Sequence, residues 1–415
     1  MRFSLNDQKV WYAVLALSVS IRMMVAPFTG HPYDLGIWMA SGRYVAAGTS
    51  PYLAHPHIGY PPLWALWCGV AYLVSNFLSP GNQFLYISVI KIPIITADVV
   101  LAIMILKASR NSSLNSKNSG RFLVTSFLLN PYVLMVGVVW GMMDNLVAVL
   151  LIASIMLLTS KPTLSGAAAS LAVALKLYPI LFLPLLLVFS ARTRKFTHLA
   201  KWLLAFLTTT LVAIWFPFVL FHWNISGFIG VGVAQVARDF GAIAPLATLQ
   251  YMEDVGVTRI EIIPLQSLLT ASWLKLLWIP ILTTSILLVL WKRPGSDSVP
   301  NMIRDCLLVY LIYLLTAPWI SEQLFELVII LMLFLAAFVG RKRRFSYTSY
   351  AVGSLIVLLF IAFHVPITSF VFPIRQIDGT PLLSFGKMFL PWLTLIFGCY
   401  LVAEIIIIAK TYADH

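Results

Sequence analysis

FLYISVIKIPIITADVVLAIMIL, running from Phe84 to Leu106, is 23 residues long and carries two charged side chains, Lys91 and Asp98. As a helix rising ~1.5 Å per residue it reaches ~35 Å, more than the ~30 Å hydrocarbon core of a bilayer. Lys91 and Asp98 stand seven positions apart, nearly on one helical face and about 10 Å apart along the axis. A charge inside a span is costly, so each marks either a functional site or a buried pair with another helix.

Similar apolar runs extend outward in both directions: Val10 to Ala26, Phe122 to Val139, Asn145 to Thr159, Trp202 to Phe221 and Ile262 to Trp291, then Met302 to Ala317, Leu324 to Val339, Tyr350 to His364 and Met388 to Ile408. A shorter pair between Leu164 and Phe189 is interrupted at Lys176, Leu177, Tyr178 and Pro179, the pattern of a bent or re-entrant hairpin. Of the 415 residues 60% are hydrophobic and 10% charged, with a mean hydropathy of +0.92. Such a chain has lipid as its solvent, and only closed helices satisfy its backbone there. The expected fold is an all-α polytopic membrane bundle of about 10–12 spans, a single domain over residues 1–415. The first run lacks a good small-residue cleavage site after Val25 and reads as a retained span rather than a signal peptide.

The net charge of +13 would suggest nucleic acid in a soluble protein. Here the basic residues gather in short loops, Lys107 to Arg121, Arg192 to Lys201, Lys292 to Arg304 and Arg341 to Arg344, as the positive-inside rule expects. Placing those loops in the cytoplasm with Lys9 and Lys410 puts residues 27–83, 222–261 and 365–387 outside. Parity requires the apolar helix from Leu63 to Asn76 to lie on the outer surface. Cys68, Cys306 and Cys399 are far apart and show no CxxC spacing. Walker, dinucleotide-binding and HExxH patterns are absent, and the three histidines of the first loop do not form a metal motif.

The richest polar cluster is HPYDLGIWMASGRYVAAGTSPYLAHPHIGYPPL, His31 to Leu63, which carries Asp34, Arg43, His55, His57 and Tyr60. Helical spacing from Leu35 to Ala47 predicts an interfacial helix preceded by Asp34. That aspartate either caps the helix or, kept ionised by the helix dipole, accepts a proton from a hydroxyl. NPYVLMVGVVWGMMDN, Asn130 to Asn145, sets Trp140 and Asp144 at an external junction. ALKLYP sets Lys176 at the outward bend, where an ammonium either holds a phosphate or snorkels to the interface. Glu322, Gln323 and Glu326 stand where a late external loop enters a span, and His364, Arg375 and Asp378 occupy the last external segment. Arg375 is either a phosphate clamp or a solvated loop charge.

Asp34 soon after the first span, YPPL at Tyr60 to Leu63, KIPIITAD at Lys91 to Asp98, NPYVL with WGMMD at Asn130 to Asp144, and LKLYP at Leu175 to Pro179 stand in this order. The set resembles the superfamily C membrane glycosyltransferases, in particular mannosyltransferases related to the second mannosyltransferase of GPI-anchor synthesis. The resemblance covers mostly the N-terminal half, and WGMMD departs from the more usual WGQFD-like form. It implies an enzyme, a mannosyltransferase in kind, that passes a sugar from dolichyl or polyprenyl phosphate to a lipid-linked or glycan acceptor on the non-cytoplasmic side, in a cell membrane or the endoplasmic reticulum. On this sequence it makes Asp34 the catalytic base and Lys176, Arg375 and Lys91 the donor-phosphate candidates. Asp144, Trp140, Tyr60, Arg43, Gln323 and Glu322 become candidates for binding sugar or acceptor. It implies membrane lipid and a small membrane subunit as partners, no nucleic acid, no certain cofactor, and leaves a divalent metal open. The different class suggested by broken helices and intramembrane charge is a secondary transporter or lipid-linked sugar flippase.

Overall fold

The computed structural model describes residues 5–54, 59–110, 117–193, 196–236, 238–254, 272–292, 298–339, 345–365, 367–371 and 387–413. Its architecture is the expected all-α membrane bundle. Six helices among the described residues are long and apolar enough to cross a bilayer: Trp11–Phe28, Gln83–Arg110, Phe196–Leu220, Trp273–Trp291, Val299–Thr316 and Leu390–Lys410. Shorter apolar helices, among them Pro62–Leu78, Asp144–Leu157 and Pro162–Leu175, fill the spaces between them. Of the run expected from Ile262 to Trp291, residues 262–271 lie outside the described residues, as do Arg341 to Arg344.

Prolines set the helix starts. Pro32, Pro62, Pro131 and Pro162 each occupy a first-turn position, where the missing N–H costs no bond. Gln83–Arg110 carries Pro93 in its interior, and the indole of Trp67 donates to the Ile90 carbonyl at 3.1 Å close to that proline. The run from Phe122 to Val139, read from sequence as one straight span, is instead bent by 45° between Gly120–Leu128 and Pro131–Trp140. Pro131 cannot continue the helical ladder, and the Asn130 side chain caps the new segment by accepting from the N–H groups of Tyr132 and Val133. The second segment widens into a π-helical turn, Met135–Trp140, and ends at Gly141 with φ of 96°.

The expected break at Lys176 is present. Pro162–Leu175 ends there in extended backbone, and a 3₁₀ turn, Tyr178–Phe182, leads into Leu183–Thr193. Pro162–Leu175 packs closely on Phe196–Thr210 because Gly166 leaves no Cβ against the Trp202 carbonyl. The contact is fixed by Trp202 Nε1 donating to Ser165 Oγ at 3.0 Å and a 2.8 Å hydroxyl pair, Ser170 with Thr210.

After the first span, two helices pack together: Pro32–Ala46 and Pro62–Leu78, with Gly42 against the Cys68 carbonyl and Gly69 against Val45. Pro62–Leu78 buries Trp64, Ala65, Cys68 and Ala71 and exposes Val70, Leu73, Phe77 and Leu78. Three short pairings then join distant loops at one end of the bundle. Thr29 bridges Val371 antiparallel, Gly30 N donates to Phe370 O at 2.9 Å, and Gly241–Ala242 runs parallel to Trp319–Ile320. Cys68 and Cys306 are buried, whereas Cys399 is exposed on its helix.

Candidate active site

Asp34 does not precede its helix, as spacing suggested. His31 is the capping residue and Pro32 the first helical one, so the helix begins three residues earlier and Asp34 sits inside its first turn. There the unpaired N–H groups and the helix dipole favour a carboxylate. His31 Nδ1 caps the helix by accepting the Asp34 backbone N–H at 3.4 Å, and it lies 3.0 Å from Asp34 Oδ2, with which the ring forms an ion pair when protonated. Trp140 Nε1 donates to the same oxygen at 2.8 Å. Among the described residues Oδ1 takes no donor, and the side chain is 13% exposed.

The rest of the end loop fixes this arrangement. The His31 ring stacks on Trp140 with centroids 4.8 Å apart, its backbone N donates to Trp140 O at 3.2 Å, and Phe370 packs against both rings. Trp140 reaches Asp34 because the π turn rotates it out of helical register and Gly141 turns the chain away. A Cβ at Gly141 would lie 2.9 Å from Lys91 Cε, and its positive φ suits glycine.

Asp144 and Lys176 are brought together from 32 positions apart, with Nζ 2.9 and 2.8 Å from the two carboxylate oxygens. Asp144 is wholly buried and Lys176 is 14% exposed. Burial first, then the charges of Asp34 and Asp144, push the Tyr60 hydroxyl well above the ordinary phenol range. Its hydroxyl contacts Met142 Sδ at 3.9 Å.

Other expected residues go elsewhere. Lys91 is fully buried and donates to Thr29 O and Val138 O at 2.6 Å and to Ala26 O and Thr29 Oγ1 at 3.2 Å. It stitches the first span to the bent one and is closed to a phosphate. Asp98 pairs with Arg22 at 2.7 Å and accepts from Asn145 Nδ2 at 2.8 Å. Sequence reading passed over Arg22, although an arginine inside an apolar run is itself a signal. Arg43 is exposed and contacts Met39 Sδ, away from Asp34. Glu322 is buried with Oε1 2.7 Å from His364 Nδ1, while Gln323 is buried beside it. Arg375, Asp378, His55 and His57 lie outside the described residues. No group of three or more His, Cys, Asp or Glu among the described residues is arranged to hold a metal.

With 13% identity and a TM-score of 0.50, the chain matches the crystal structure of ArnT from Cupriavidus metallidurans in the apo state over 96% of its own length and 78% of that chain. The likeness is one of fold. The family model of the GPI transamidase subunit PIG-U matches residues 44–236, just under half of the chain. Trp140, Asp144 and Lys176 fall within that segment and Asp34 outside it. No curated protein matches the sequence. The closer resemblance to the second mannosyltransferase of GPI-anchor synthesis finds no counterpart among these matches.

Proposed function

We propose that this integral membrane protein is a glycosyltransferase that moves a sugar, mannose by its sequence resemblance, from dolichyl or polyprenyl phosphate to a hydroxyl of a lipid-linked or glycan acceptor on the non-cytoplasmic side. The observation that carries the reading is the Asp34 carboxylate: one oxygen held by the Trp140 indole and 3.0 Å from the His31 ring, the other open, at the partly exposed end of the bundle. Such a group accepts the acceptor's proton as its oxygen attacks the anomeric carbon, and the bond to the lipid phosphate breaks with inversion. The phosphate leaves as an anion and needs nearby positive charge rather than a proton. Lys176 and Arg375 are the cations this reading assigns to it; Lys91 is withdrawn because its ammonium is enclosed. Asp144, Tyr60, Gln323 and Glu322 would line the sugar and acceptor side.

A second reading is favoured by the PIG-U match: the chain binds a lipid-linked glycan for a partner subunit and catalyses nothing itself. Sugar transfer from radiolabelled polyprenyl-phosphate mannose to membrane lipids separates the two. Label incorporated by wild type and lost in Asp34→Asn at matched expression supports the transferase. Equal labelling by both removes Asp34 as base, and a protein that binds the glycan lipid yet transfers nothing is the subunit of the second reading.

A further inference from the structure

At the end of the bundle one nitrogen has two competing partners. His31 caps the helix Pro32–Ala46, with Nδ1 accepting the Asp34 N–H at 3.4 Å, and the same Nδ1 lies 3.0 Å from Asp34 Oδ2. In a neutral imidazole Nδ1 is either a donor or an acceptor, never both. As acceptor of the N–H it turns a lone pair toward a carboxylate oxygen. A second proton on the ring makes Nδ1 a donor to that oxygen and closes an ion pair. The side chain is 17% exposed, and Nε2 takes no partner among the described residues, which leaves protons a route between the ring and water.

The ring is fixed where this choice matters. It stacks on Trp140 at 4.8 Å and meets Phe370 at 5.4 Å, and its backbone N donates to Trp140 O. Asparagine, aspartate, serine and threonine are the preferred caps, and phenylalanine would pack between the two rings. Imidazole is the side chain that does both and also gains a proton between about pH 5 and 8. Few groups face it. Tyr33 on its own helix lies edge-on at 6.5 Å, the bent span brings Trp140, and the turn Ile367–Phe370 brings Phe370. Lys91 is committed to the Thr29 and Val138 carbonyls. Among these neighbours Asp34 is the one carboxylate, so it receives the charge of the ring.

We propose that His31 is a positioning residue whose own proton governs the Asp34 carboxylate: the neutral ring caps the helix and leaves Asp34 a full base, and the protonated ring pairs with Oδ2 and weakens it. The inference rests on the transferase reading and gives a role to a residue that reading leaves without one. In the transfer step the acceptor O–H proton goes to Oδ1 and the acceptor oxygen bonds to the anomeric carbon. The electron pair of the broken bond goes to the lipid phosphate. A cation already on Oδ2 opposes uptake of that proton.

The test is the pH profile of transfer from radiolabelled polyprenyl-phosphate mannose to extracted membrane lipids by the purified full chain in detergent, from about pH 8 down to about pH 5. Melting is followed for every variant. The donor is a phosphodiester and gains no proton over this range. Wild-type transfer should fall about tenfold toward the acid end, since an adjacent cation weakens a carboxylate base by about that factor or more. His31→Asn, which keeps a cap and takes up no proton, should lose that slope. His31→Phe, which keeps the ring packing without the cap, should lose it too and decides the matter if His31→Asn fails to fold. A wild-type slope in a folded variant, or a flat wild-type profile, overturns the positioning role and leaves the transferase reading standing. A folded variant inactive at every pH places the ring in the reaction itself and overturns the positioning role as well. No transfer by wild type at any pH overturns both readings.

Discussion

Asp34 and Asp98 are both aspartates within helices of the same bundle, yet their surroundings divide them into opposite roles. Asp98 lies at the buried centre with both oxygens taken, one by Arg22 and one by Asn145. Asp34 lies at the end of the bundle with the Trp140 donor and the nearby His31 ring on a single oxygen and the other open. A saturated buried pair holds helices in place and has nothing left to offer a substrate. A half-satisfied, partly exposed carboxylate is oriented but still reactive.

The comparison predicts different kinds of damage. Asp34→Asn should cost about 10²–10⁴-fold in sugar transfer while melting stays as in wild type, measured on detergent-purified protein. A comparable loss of folding would place Asp34 with the structural group. Asp98→Leu should act the other way, lowering stability by about 3–5 kcal/mol because the buried Arg22 charge loses its carboxylate and keeps only neutral acceptors, Ser18 and the Leu128 carbonyl. Arg22→Met combined with Asp98→Leu should recover much of that loss, and a fully additive double variant in detergent unfolding would break the account of the pair.

Smaller effects sharpen the boundary between the regions. Trp140→Phe keeps the ring against His31 and removes the donor to Asp34. Transfer should fall about ten- to a hundredfold, for a hydrogen bond to a charged group worth roughly 1.5–3 kcal/mol, with little change in melting. Gly141→Ala touches both regions, since its φ is strained for alanine and its Cβ meets the Lys91 side chain. A loss of about 1–3 kcal/mol in stability should accompany a fall in transfer. Arg43→Ala should change neither, and a clear loss of transfer would restore Arg43 to the site.

Much of this was legible from the chain. The runs such as Phe84 to Leu106 carry their helical and membrane character in their composition, and the break at Lys176 was announced by LKLYP. The bend at Asn130 was less so, because the apolar run from Phe122 to Val139 continues through Pro131 and hides it. Asp34 was marked as a candidate but set outside its helix; the proline at position 32 supplies the first helical residue and draws Asp34 into the turn. Lys176 and Asp144 were each singled out for substrate, and their pairing was not foreseen.

The sequence by itself determined that lipid surrounds this protein, that helices cross it, and which loops and breaks hold the polar groups. Hydropathy and proline act locally, over a turn or a span, so they can be read in order along the chain. Tertiary structure alone decided which charges neutralise one another and which remain available. Lys91, Asp98, Asp144 and Lys176 look alike as single charges in apolar sequence, and their roles depend on partners tens of positions away that meet only when the spans pack. Desolvation makes each meeting decisive: a charge given its partner becomes part of the frame, and one held on a single side is left for chemistry.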